Sequence, residues 1–131
     1  MYRKGDTMNK RKTGTEKELL AAEFLEKNGV RVLDRNYRTA RGEIDLIGMK
    51  DEVLIFFEVK YRKTTQFGYP QEAVHMQKQR TICQVSMQYM RERAEEVPDF
   101  RMVRYDVVSI LDGSITWLQD AFVFRGRDWS W

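Results

Sequence analysis

The sequence is poor in the residues that many covalent and metal-dependent chemistries use. One cysteine, Cys83, and one histidine, His75, stand in 131 residues. A lone cysteine forms no intramolecular disulfide and no cysteine zinc cluster, and a lone histidine excludes a zinc site of several histidines. A Ser-His-Asp triad would rest wholly on His75, which lies in a helical pattern without a nucleophile elbow, so a surface or packing role is expected for it. The eight glycines are scattered and build no phosphate-binding loop, which argues against nucleoside triphosphate use. No apolar run is long enough to span a bilayer, and residues 1–15 are polar and basic rather than signal-like. These absences lead to the expectation of a soluble protein in a reducing cytoplasm, with no membrane association.

What is present suits one compact domain. With 42% hydrophobic residues, the chain can bury a substantial core but has no room for a second one, so residues 1–131 are read as a single domain with tails at about 1–14 and 125–131. The formal charge is +3 and the pI about 9.0. Residues 1–63 hold 15 Lys and Arg against 11 Asp and Glu, leaving 8 against 9 in the remainder. A basic first half is what a phosphate backbone favours, although many proteins are this basic.

Hydropathy patterning predicts the order αβββαββ, an α/β fold with a mixed sheet and flanking helices. The first helix spans about Glu16 to Asn28 and is closed by Gly29. Strands follow near Val30–Arg38, Glu43–Met49 and Val53–Tyr61. A loop through Thr64–Pro70, shaped by Phe67-Gly68-Tyr69-Pro70, leads to a long helix at about Gln71–Ala94 that ends before Pro98. Strands near Met102–Leu111 and Ser114–Gln119 flank an Asp112-Gly113 turn.

Charges interrupt this pattern where a core is expected. Glu58-Val59-Lys60 ends the apolar run Val53-Leu54-Ile55-Phe56-Phe57, and Asp45 lies inside Gly42-Glu43-Ile44-Asp45-Leu46-Ile47. Ionised groups at the core end of two hydrophobic strands call for a partner or a metal ion. Strict alternation puts Phe56, Glu58 and Lys60 on one face of their strand, and Glu43, Asp45 and Ile47 on one face of the other. A two-residue turn at Lys50-Asp51 sets Asp45 diagonal to Glu58, and one at Asp51-Glu52 sets them directly opposite. A three-residue turn without a bulge would put them on opposite faces.

Two carboxylates and the Val59 carbonyl form an oxygen set suited to Mg or Mn, so Asp45, Glu58 and Val59 are the candidate metal ligands. Such an ion would offset charge on a phosphodiester and supply hydroxide near neutral pH. Lys60 could then hold the attacking water or stabilise the transition state, and Arg62 and Lys63 lie just beyond as candidate phosphate contacts, with Arg41 in the same role, the alternative being a solvated strand end.

The set formed by Gly42-Glu43-Ile44-Asp45-Leu46-Ile47, Glu58-Val59-Lys60, Phe67 to Val74 and Lys78 resembles the small bacterial YraN-type proteins. These resemble, by fold, the PD-(D/E)XK nucleases, among them Holliday-junction resolvase-type enzymes. The resemblance runs from about Glu18 to Phe124 and includes Arg104-Tyr105-Asp106-Val107-Val108 and Asp120-Ala121-Phe122. It implies a restriction-endonuclease-like fold, Asp45 and Glu58 as metal ligands, Lys60 as the motif lysine and Glu18 as the acid of the first helix. Ile44 stands where the superfamily's motif has proline, and Lys17 where the family carries glycine.

Both helices carry charge within an apolar stripe. Glu18 falls among Ala21, Ala22 and Leu25, either as a site residue or as a first-turn acid facing the helix dipole. Lys78 falls among Val74, Ile82, Val85 and Tyr89. Its methylenes covering apolar surface is the simpler reading, with reach to the acids or a bound phosphate as the alternative. Met76, Cys83, Met87 and Met90 form a second stripe, expected in the core or a subunit contact. Trp129-Ser130-Trp131 is expected as a docked tail or contact, with base stacking as the weaker reading.

The leading expectation is a Mg- or Mn-dependent endonuclease acting on DNA, branched or damaged DNA being the class the resemblance implies. The alternatives are a nuclease-fold nucleic-acid-binding module without turnover and an interaction protein. A homodimer is compatible with the sequence.

Overall fold

The structure, a computed structural model, describes residues 5–62 and 75–124, with side chains in the first helix from residue 16 onward. Seven elements follow in order: α1 (Gly5–Lys27), β1 (Arg31–Thr39), β2 (Gly42–Lys50), β3 (Val53–Arg62), α2 (Met76–Glu92), β4 (Met102–Leu111) and β5 (Ser114–Phe122). The expected order αβββαββ is the observed one, in a single-domain α/β fold. One five-stranded sheet runs in the order β1-β2-β3-β4-β5, antiparallel except for the β3–β4 pair. A parallel neighbour cannot be reached by a tight turn, so the β3–β4 connection carries α2.

The central strand shows why the sheet is covered on both sides. Leu54 and Phe56 join α2 residues Ile82, Cys83, Val85 and Tyr89 in one core. Ile55 and Phe57 join α1 residues Ala21, Ala22 and Leu25 in the other. A strand buried on both faces reads as a continuous apolar run, as Leu54 to Phe57 does. The β2–β3 turn is Asp51-Glu52, with φ of 51° and 67° and Lys50 paired to Val53. Two positive φ values in a two-residue loop fit the right-handed twist of the strands.

Two expectations are corrected. The first helix begins at Gly5 rather than near Glu16, so Glu18 lies well inside the helix and the dipole at its start does not account for the acid. The last strand extends to Phe122 beyond a bulge at Asp120, whose φ is 57°. In α2, Cys83 is buried and Met90 packs against the same core, while Met76 and Met87 are exposed, so the stripe divides between core and surface. His75 is exposed at the α2 N-cap. The Phe67–Pro70 loop, Lys63 and Trp129–Trp131 lie outside the described residues.

Contacts near both ends fix α2 over the sheet. At its C-terminal end, Arg93 Nη1 meets Asp34 Oδ2 at 2.8 Å and the Tyr37 hydroxyl donates to Glu92 Oε1 at 2.5 Å. Near its start, Thr81 lies so close to Gly42 that a Cβ there would stand 2.5 Å from Thr81 Cγ2. Only glycine allows β2 to begin directly beneath α2.

Candidate metal and nucleic-acid site

The hairpin register brings the two acids together. Pairing runs from Lys50–Val53 to Leu46–Phe57, and one further step sets Asp45 across from Glu58. There the ladder ends. The Val59 N–H instead donates to Asp45 Oδ2 at 2.8 Å, so a carboxylate closes the fork between β2 and β3. Val59, expected to contribute through its carbonyl, is tied to the site by its N–H.

Alternation breaks at the same place. Ile44 and Ile47 share the α2-side core although they are three residues apart, while Leu46 packs on the α1 side. The expectation that Glu43, Asp45 and Ile47 lie on one face therefore fails, because the strand turns about its own axis between Ile44 and Leu46. Across from it in β1, Asn36 has φ of 55° and stands between the paired residues Arg35–Leu46 and Tyr37–Ile44. The register is unbroken here, so it is the left-handed backbone of Asn36, not an extra residue, that accompanies the change of face.

Asp45 consequently faces acids on both sides. Oxygen atoms of Glu18, Glu43 and Asp45 all lie within 4.8 Å of one another. Burial pushes the Asp45 carboxyl up to about 7, and the Glu58 charge adds to this while the Val59 N–H opposes it. Burial also raises Glu58, against the pull of Lys78 and Lys60. Glu18 is raised by burial, with the Asn36 amide opposing and the Asp45 and Glu43 charges adding to the rise.

Glu58 is only 5% exposed. Its Oε2 faces two ammoniums, Lys78 Nζ at 3.7 Å and Lys60 Nζ at 3.8 Å. Its Oε1 has no hydrogen-bond partner among the described residues. A buried carboxylate oxygen without a donor is costly, and an ordered water or a cation is what meets such an oxygen. Lys78 thus reaches the Glu58 carboxylate while its side chain stays 45% exposed, which is compatible with its methylenes lying on apolar surface.

The other sequence-derived residues sit further out. Arg41 is exposed in the β1–β2 turn, where its backbone N–H bonds Thr39 Oγ1. Arg62 is half-buried at the end of β3. Glu43 and Asn36 were given no role in the sequence reading. Glu43 had a visible signal, an acid two residues before Asp45 in a strand. Asn36 had none, because its place depends on a left-handed backbone.

A small α/β domain with an acid-lined fork between two strands is what this sheet defines. The Uncharacterised protein family UPF0102 matches residues 17–110, a span that contains Glu18, Glu43, Asp45, Glu58, Lys60 and Lys78. The chain belongs to this family. It is 39% identical to a UPF0102 protein of Lachnoclostridium phytofermentans over 115 residues, 88% of this chain and 96% of that one. It is 40% identical to a UPF0102 protein of Vibrio parahaemolyticus over 86% of this chain and 93% of the relative. For one from Alkaliphilus oremlandii the figures are 44%, 79% and 86%. Among the described residues, no helix is long and apolar enough to cross a membrane.

Proposed function

We propose that the protein is a divalent-metal-dependent nuclease that hydrolyses phosphodiester bonds in nucleic acid. The observation that carries this reading is the buried Oε1 of Glu58, without a hydrogen-bond partner among the described residues, beside the Asp45 carboxylate. Oxygen-only donors suit Mg or Mn. Asp45 and Glu58 would hold the ion, with Glu18 and Glu43 adjacent to Asp45. When bound, such an ion supplies Lewis acidity and a low-pKa water.

The chain's own groups supply the rest. Lys60 and Lys78 bring two ammoniums to the site, where they offset charge on a phosphate and orient the attacking water. Arg41, exposed in the β1–β2 turn, and Arg62, at the end of β3, would serve as phosphate-backbone contacts, with Lys63 next in sequence. The resemblance to PD-(D/E)XK nucleases supports DNA, in branched or damaged form, as the substrate. On this reading the protein acts in the cytoplasm, and a homodimer accommodates a two-armed substrate.

A second reading has its own observation. The two ammoniums already face Glu58, and an ion pair of this kind suits a nucleic-acid-binding module without turnover. The test is incubation of linear, single-stranded, flapped and four-way DNA and RNA with Mg or Mn, alongside calorimetric titration of each ion. Cleavage lost in Asp45→Asn supports the nuclease. Salt-dependent binding with no turnover and no ion uptake supports the module.

A further inference from the structure

Glu18 faces two other acids, Asp45 and Glu43, and burial adds to its cost in the ion-free protein. Something must hold this part of α1 against that repulsion. Downstream, Ala21, Ala22 and Leu25 pack into the α1-side core. Between Glu18 and Ala21, Leu19 and Leu20 are 41% and 49% exposed and add little anchorage, while the Glu18 carboxyl itself bonds the Asn36 side chain. The residue before Glu18 makes a specific contact: the Lys17 ammonium lies 3.7 Å from the centroid of the Tyr61 ring.

Tyr61 follows Lys60 in β3, so this cation–π pair joins the turn of α1 bearing Glu18 to the strand bearing Glu58 and Lys60. Tyr61 is 42% exposed. A cation over an aromatic face is attracted by the ring quadrupole, and the contact fixes direction as well as distance.

The geometry points to Lys17 and Tyr61 as positioning residues, a clamp that sets Glu18 against Asp45 and so completes the acidic site for a divalent cation. The cation part of this inference rests on the proposed metal site. The mechanical part does not. Neither residue touches the reacting atoms, and both act through the placement of α1.

The full-length protein and the variants Lys17→Met, Lys17→Arg, Tyr61→Leu and Tyr61→Phe separate the possibilities. Methionine keeps the length of the lysine stem and removes the charge, while arginine keeps a cation able to stack. Two measurements are made: amide hydrogen exchange over residues 17–22 without ions, and calorimetric Mn titration. The clamp is expected to give faster exchange in Lys17→Met and Tyr61→Leu, and Mn binding weaker by about two- to fivefold, as an exposed cation–π contact would give. Lys17→Arg and Tyr61→Phe should restore both. Wild-type exchange in Lys17→Met and Tyr61→Leu overturns the clamp, and so does failure of both conservative variants to restore it. Unaltered Mn affinity despite faster exchange overturns its role at the site. A wild-type protein that takes up no Mn sinks the metal reading, and exchange alone then decides the clamp. DNA binding weakened by Tyr61→Leu but not by Lys17→Met makes the ring a stacking platform, which also overturns the proposal.

Discussion

Asp45 Oδ2 accepts the Val59 N–H at 2.8 Å where the β2–β3 ladder stops, so one carboxylate both holds the fork and faces the buried Glu58. The two duties can be separated. Asp45→Asn keeps an oxygen for Val59 and removes the charge, whereas Asp45→Ala removes both. In the ion-free protein at pH 8, Asp45→Asn should be more stable than wild type because repulsion and charge burial are relieved. Asp45→Ala should fall about 1–3 kcal/mol below Asp45→Asn, the cost of a backbone donor left unsatisfied. Urea denaturation of the three proteins gives the order. Equal stability of the two variants would show that the Val59 contact has no structural value.

The raised carboxyls set a pH dependence. Folding lifts Asp45 from 3.8 to about 7, and Glu58 and Glu18 move in the same direction. Between the unfolded and folded values the native state holds more protons, so stability falls as pH rises through this window and the loss is complete above the folded value. The ion-free protein should therefore be more stable near pH 5 than near pH 8. Asp45→Asn should flatten the curve. If the proposed site takes Mn in the folded state alone, Mn at pH 8 should recover stability by mass action. Thermal melts across this range, with and without Mn, make the comparison.

Glu58→Gln tests what the two lysines do. Breaking a buried pair costs about 3–5 kcal/mol when it strands a charge, but Lys60 and Lys78 are 36% and 45% exposed and can turn to water. The burial cost of Glu58 also disappears, so stability should change by about 1 kcal/mol or less. Ion binding and any cleavage should be lost. Nucleic-acid affinity should rise, with a steeper salt dependence, because two ammoniums are released to phosphate. Fluorescence anisotropy with labelled DNA over a salt series measures both changes.

Asp106 is a buried acid of the opposite kind. Arg104 Nε and Nη2 and Trp117 Nε1 reach its carboxylate at 2.8–2.9 Å, and the Asp120 N–H completes the set at 2.8 Å. All its acceptors face donors, and it ties β4 to the bulged end of β5. Asp106→Ala should cost about 3–5 kcal/mol, since it leaves the 18%-exposed Arg104 without its partner. Metal uptake by the folded fraction should match wild type, which calorimetry can establish.

The contrast between Asp106 and Glu58 shows how far the sequence could be read. Both are single acids within apolar strands, and the pattern alone does not distinguish a satisfied carboxylate from an unsatisfied one. The element order was legible because Val53–Phe57 and the turns at Asp51-Glu52 and Asp112-Gly113 carry strong local signals. The hairpin register was legible down to the choice of turn: both two-residue turns brought Asp45 near Glu58, and a three-residue turn would have parted them. The role of Asn36 was not legible, since it arises from a positive φ and a turn of the neighbouring strand. Nor was the length of α1, whose first residues lack the apolar periodicity that announces a packed helix.

The placement of Lys78 depends on how closely α2 approaches β2, and Gly42 sets that approach. A methyl group at Gly42 would lie 2.5 Å from Thr81 Cγ2, inside the contact distance of two carbons. Gly42→Ala should push the start of α2 outward, lower stability by about 1–3 kcal/mol as overpacked sites do, and carry Lys78 away from Glu58. Thr81→Ser removes the opposing methyl and should cost little by itself. In the double variant the two changes should couple, with much of the stability returning, because neighbours that share one clash are not additive. A four-member urea cycle measures that coupling, and additive losses would show that the glycine is needed for its backbone conformation rather than for the space beneath α2.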